Sequence, residues 1–139
     1  MVRRRIVFPR DVLLAFKLAK VDPAEWLREV VRGYSSGVNV GVSGPFVEEY
    51  PSGEVKFGVF ELFCEEPSVG DEVFDELELA IDSRIYGLAT SLTEREKVVL
   101  VKRVEEGKSL AEIAFELGVK PQSVVSFLNA IKEKVKSRL

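Results

Sequence analysis

Histidine is absent from this chain, and cysteine, methionine and tryptophan occur once each. With no imidazole and a lone thiol at Cys64, a zinc site of the usual nitrogen and sulfur ligands, a catalytic triad and an internal disulfide all lack their parts. Any metal would have to be held by carboxylates alone. Cys64 reads as a small hydrophobe in a strand, in keeping with a reducing, cytoplasmic setting. Long apolar runs are missing too: none reaches the ~18–20 residues of a membrane span. The basic start Arg3-Arg4-Arg5 is not followed by the apolar stretch and small-residue cleavage site of a signal peptide. These absences lead us to expect no membrane partner, no cofactor, no metal and no catalysed reaction.

What is present is enough to fold, since 46% of the 139 residues are hydrophobic. Charge comes in blocks. Residues 1–32 carry eight Lys/Arg against four Asp/Glu, residues 33–90 two against twelve, and residues 91–139 ten against seven. The nets, +4, −10 and +3, sum to the overall −3. An acidic whole argues against indiscriminate nucleic-acid binding, while the basic balance falls on the carboxy-terminal segment. The acidic block reads as a solvated face or as an interaction surface for a basic partner.

Along the amino-terminal part, Arg3-Arg4-Arg5 reads as a solvated end, with a short strand or a phosphate-touching arm as alternatives. Val12, Leu13, Phe16 and Ala19 recur at helical spacing, and Asp22-Pro23 opens a second helix holding Trp26, Leu27, Val30 and Val31. Trp26 extends that apolar stripe, so it reads as core rather than as a ligand-stacking ring. The period then changes. Val38, Val40 and Val42 alternate with small polar residues, and Val55, Phe57 and Val59 alternate again beyond a turn at Pro51-Ser52-Gly53. This predicts a hairpin, bulged near Gly44-Pro45 because proline cannot donate to a ladder. After Pro67-Ser68-Val69-Gly70, the spacing of Val73, Phe74, Leu77, Ile81, Ile85 and Leu88 predicts a helix over 71–88 with an acidic outer surface, packed on the hairpin or on the helix that follows. Asp75 and Glu78 on it could pair for acid–base work, but no partner constellation accompanies them.

The carboxy-terminal segment is the most specific. Ser91 or Thr93, each with Glu three residues on, reads as a capping box, followed by Val98, Val99, Leu100, Val101 and Val104 as an apolar face. Glu106-Gly107 stops that helix in a left-handed residue and Ser109 caps the next. The second helix runs over 110–117, Gly118 makes the turn, and Pro121 sits early in a third, whose Val124, Leu128, Ile131 and Val135 fall on one face. The pattern Leu92-Thr93-Glu94-Arg95-Glu96, Glu106-Gly107, Ser109, Glu112-Ile113-Ala114, Leu117-Gly118-Val119, Ser123-Val124 and Ile131 resembles the helix-turn-helix of LuxR-type regulators and of sigma-factor region 4. About 48 residues carry the resemblance, and the absence of a fourth helix in the sequence leans toward the sigma-like form. The chain departs from both families at Val125 and Phe127, and no Lys or Arg lies between Pro121 and Ile131.

The resemblance implies a DNA-binding transcriptional regulator that reads double-stranded DNA with its third helix. Gln122, Ser123, Ser126 and Asn129 are the candidates for base reading. Lys108, Ser109, Lys120 and Lys132 are the candidates for phosphate contact; the bland alternative for each residue is a solvated position. The expected fold class is an α+β amino-terminal module of two helices and a β-hairpin, residues 1–67, then a connecting acidic helix, 68–90, and an all-α helix-turn-helix domain, 91–139. Readers of this sort usually bind as dimers, so a homodimer through the amino-terminal module is expected, its motive the open edges of the hairpin. The alternative function is a protein-interaction module that uses the same three-helix scaffold to contact transcription machinery. The lack of basic residues in the third helix favours that alternative.

Overall fold

A computed structural model describes residues 2–34, 40–49, 56–64 and 71–137. Three strands form an antiparallel sheet in the order β1-β3-β2: β1 Val2–Phe8, β2 Gly41–Glu49 and β3 Lys56–Cys64. Six helices accompany them: α1 Arg10–Leu18, α2 Pro23–Tyr34, α3 Asp71–Ser91, α4 Glu94–Leu100, α5 Leu110–Leu117 and α6 Pro121–Ser137. The expected α+β part followed by an all-helical part is therefore present. The hairpin of β2 and β3 is bulged between Ser43 and Phe46, with Gly44 at φ 127°, which only glycine takes readily. The predicted turns at 51–53 and 67–70 lie outside the described residues.

At the start of the chain the short-strand alternative holds over the solvated end: residues 2–8 form an edge strand, with Ile6 opposite Phe60 and Phe8 opposite Gly58. Arg4 shares the inward face with Ile6 and Phe8, and α3 crosses there. Its guanidinium reaches Asp75 at 2.9 Å and Glu78 at 3.7 Å. The acids of α3 thus meet a cation from the other end of the module. This strand also occupies the β3 edge that the hairpin alone would have left open.

Helices cover the inward face of the sheet. Phe8 is the hub, meeting Phe16, Trp26 and Phe60 at ring-centroid distances of 5.7, 5.8 and 5.0 Å. Such ring pairs each add about 0.5–1.5 kcal/mol beyond burial. Trp26 is buried there, as its stripe predicts, and so is Cys64. Gly58 leaves room for Leu13 of α1, which a Cβ would meet at 3.0 Å. From α3, Phe74, Leu77, Ile81, Ile85 and Leu88 enter the same core. This helix continues three residues beyond the expected 88 and packs on β1, α1, α2 and α6.

The core does not stop at the end of α3. Leu100 of α4 and Ile131 and Val135 of α6 belong to the same buried cluster as Phe8 and Trp26, and α1 packs directly on α4 and α6. Arg10 of α1 pairs with Glu105 beyond α4. A second, smaller cluster of Val99, Ile113, Ala114, Val124 and Leu128 holds α4, α5 and α6 together, with Leu18 of α1 against it. Among the described residues no helix is long and apolar enough to cross a membrane, and no group of acids or Cys could hold a metal ion.

Candidate nucleic-acid interface

Thr93 opens the three-helix unit. Its hydroxyl accepts the Glu96 N–H at 3.2 Å, while Glu96 Oε1 accepts the Thr93 N–H at 3.0 Å, a complete capping box. Glu96 is almost fully buried, and Lys134 of α6 reaches in to donate to its Oε1 at 2.5 Å and to the Ser91 carbonyl at 2.7 Å. Burial alone would raise the Glu96 carboxyl. The Lys134 and Thr93 hydrogen bonds outweigh it and hold the group below its ordinary 4.5.

The sequence predicts one helix to Glu106, but α4 ends at Leu100 and residues Val101–Glu105 form a π-helical turn. Its widened ring is closed by Glu106 N–H donating to the Val101 carbonyl at 3.1 Å. Of the five apolar residues expected on one face, only Val99 and Leu100 are buried; Val98 is exposed. Gly107 then takes φ 66° and ends the helix as predicted.

Ser109 caps α5 by accepting the Glu112 N–H at 3.2 Å. At the far end Gly118 is left-handed at φ 66°, and the Val119 N–H reaches back to the Ala114 carbonyl at 3.0 Å. That six-to-one closure, with Val119 packed against the smaller cluster, aims the chain into α6. Lys120 accepts the Ser123 N–H at 2.9 Å through its carbonyl, and Pro121 begins the helix.

On α6 the buried stripe is the predicted one: Val124, Leu128, Ile131 and Val135. Opposite it, at spacings of four, three and four, stand Gln122, Ser126, Asn129 and Glu133, all exposed. Three of the four candidate base-reading residues therefore share one outward ridge. Ser123 does not; it is half-buried to one side. The Ser126 hydroxyl donates to the Gln122 carbonyl at 3.0 Å, so it offers a partner lone pairs rather than a proton.

The candidate phosphate contacts divide. Lys120 is exposed and Lys132 half-buried, and neither has a charged partner among the described residues. Lys108 is engaged. Its ammonium lies 2.6 Å from Glu116 and 3.7 Å from Glu106, and Lys102 reaches the same Glu116 at 2.8 Å. The Glu116 hydrogen bond raises the Lys108 ammonium, while the bonds from Lys102 and Lys108 lower Glu116. The Ser109 hydroxyl accepts in its cap through one lone pair, which leaves its proton to donate to a phosphate oxygen. Charge counting misses Arg95 and Lys136, both exposed and without a partner among the described residues. It also misses Phe115, which is 89% exposed on the outer face of α5. The helical wheel could have found that residue, since Ile113, Ala114 and Leu117 all point the other way.

The family model described as sigma-70, region 4 matches residues 83–135, so the end of α3 together with α4 to α6 is a helix-turn-helix of this kind. Over 108 residues the chain is 31% identical to the transcriptional regulatory protein DesR of Bacillus subtilis, a match that takes in 76% of this chain and 50% of that protein. The chain thus spans about half the length of that curated relative. No solved structure matches it.

Proposed function

We propose that this protein is a DNA-binding transcriptional regulator that lays α6 in the major groove of duplex DNA. The observation that carries the reading is the outward ridge of Gln122, Ser126 and Asn129, opposite the buried stripe of a helix that follows a left-handed Gly118 turn. Gln and Asn suit the paired donor and acceptor of adenine, and Ser126, already donating within the helix, suits a base amino group. Lys120 and Lys132 serve as phosphate contacts, joined by Arg95 and Lys136. Lys108 is left out of that set because its ammonium already faces Glu116 and Glu106. One such motif buries too little surface for high specificity, so pairing through the amino-terminal module belongs to the proposal.

Gln122→Ala tests the reading. Selected duplexes should lose about 1–3 kcal/mol of discrimination at one base step while non-specific affinity holds. Unchanged preference at every position would remove α6 from the reading role. Phe115 favours a second reading, in which the outer face of α5 meets an apolar surface of the transcription machinery. Phe115→Ser should then leave stability within about 0.5 kcal/mol and duplex binding unaltered. Loss of transcriptional response in that variant supports the second reading, and a full response refutes it.

A further inference from the structure

Away from α6, a groove of ≈ 610 Å³ opens where the loop between α1 and α2 approaches α3. Its volume lies within the range of small-molecule sites. Its apolar lining is Val21 and the edges of Trp26 and Val30, each otherwise buried in the core at 5% exposure. Five charged residues share the walls, and their commitments differ. Asp22 accepts the Ala24 N–H at 3.1 Å as a helix cap, and Glu29 is paired with Arg32 at 2.7 Å. Asp22 keeps its charge in that cap, so Asp22 and Glu25 stand on the walls with two cations, Lys20 and Arg84, neither of which has a partner among the described residues.

Lys20 carries a second signal. It is the one non-glycine residue with positive φ among those described, at 58°, in the position after α1 where the Val21 N–H closes back on the Phe16 carbonyl at 2.9 Å. Glycine is the usual occupant of such a position, and a lysine there costs stability. A strained residue that sets an unpartnered ammonium at the rim of a tryptophan-lined groove fits ligand binding better than folding.

We propose that the groove binds an amphipathic carboxylate, its apolar body against Trp26, Val21 and Val30 and its anionic head on Lys20 and Arg84. The proposal is independent of what α6 reads. Arg84 lies on α3 inside the stretch matching sigma-70 region 4, whereas Lys20 and Trp26 belong to the amino-terminal helices, so the ligand would tie the two together.

Trp26 is the only tryptophan, so a ¹⁵N-labelled full chain gives a single indole N–H resonance, from a residue that lines the groove. The probes are 3-phenylpropionate and 3-phenylpropylammonium, similar bodies of opposite charge. The carboxylate should shift the resonance with half-saturation at roughly 1–10 mM, the range of a ligand with about eleven non-hydrogen atoms. The ammonium should bind at least about tenfold more weakly. Arg84→Met, which keeps the stem, and Lys20→Gly should each weaken the carboxylate about tenfold or more. Lys20→Gly should not lower the unfolding temperature, because glycine accepts the positive φ, so lost binding there is not lost fold. Equal shifts from both probes, no shift up to about 20 mM, or wild-type affinity in both variants would overturn the proposal.

Discussion

Lys134→Met tests how the helix-turn-helix is held together. Lys134 is 30% exposed along its side chain, whereas its partner Glu96 is only 4% exposed, and the second carboxylate oxygen of Glu96 is buried with no hydrogen bond. Removing the ammonium leaves an ionised carboxylate with the Thr93 N–H and little else, and strips a donor from the Ser91 carbonyl. Breaking a fully buried pair from one side costs about 3–5 kcal/mol. The partial exposure of Lys134 reduces this to about 2–3 kcal/mol. With an unfolding entropy of ~2.1 cal/mol/K per residue, the 139-residue chain should lose roughly 7–10 °C in Tm. The pH dependence has a definite sign. Glu96 titrates below its ordinary 4.5 in the folded state, so its contribution is complete above that value and is lost as pH falls through the folded pKa. Thermal unfolding followed by circular dichroism at pH 7 and near pH 4 should show a gap between wild type and Lys134→Met that narrows in acid. A loss under about 2 °C at pH 7, or a gap constant with pH, refutes the reasoning.

Three further perturbations test the backbone and the shared core. Gly118→Ala should cost about 1–2 kcal/mol from backbone strain alone, since φ is 66° and nothing lies within 4 Å of an added Cβ; Gly33→Ala, helical and equally open, should gain about 0.5–1 kcal/mol in the same melts. A fragment beginning at residue 92 would uncover Leu100, Ile131 and Val135, forfeiting about 1.5–3 kcal/mol for each and so most of an ordinary domain's stability. It should show no cooperative melt at 25 °C and above, and a sharp transition would count against the shared core.

Much of the carboxy-terminal unit was legible because its signals are local. Thr93 with Glu96, Ser109, Gly107, Gly118 and the stripe from Val124 to Val135 each act within one or two turns, and the structure uses them as the sequence implies. The bulge at Gly44-Pro45 is of the same kind. The misses depend on partners distant in sequence. At Arg3-Arg4-Arg5 the sequence favours a solvated end over a short strand, because Arg4 sits inward only when α3 brings Asp75 and Glu78 to it, 71 and 74 residues later. Nothing local marks Lys134, whose partner Glu96 lies 38 residues earlier and reaches it only through the fold. The resemblance makes Lys108 a candidate phosphate contact, and the fold puts Glu116 against it. The π-helical turn at Val101–Glu105 has no local sequence signature of its own.

The central claim, that the α6 face engages duplex DNA, is tested most directly by titrating the full chain against duplex at several salt concentrations. Log affinity should fall linearly with log salt, and Lys120→Ala and Lys132→Ala should each reduce the slope by about one. Lys108→Ala should leave the slope where it was, because its ammonium is held toward Glu116 and Glu106. No binding tighter than about 100 μM at low salt, or a slope that responds to Lys108 and ignores Lys120 and Lys132, would contradict the account.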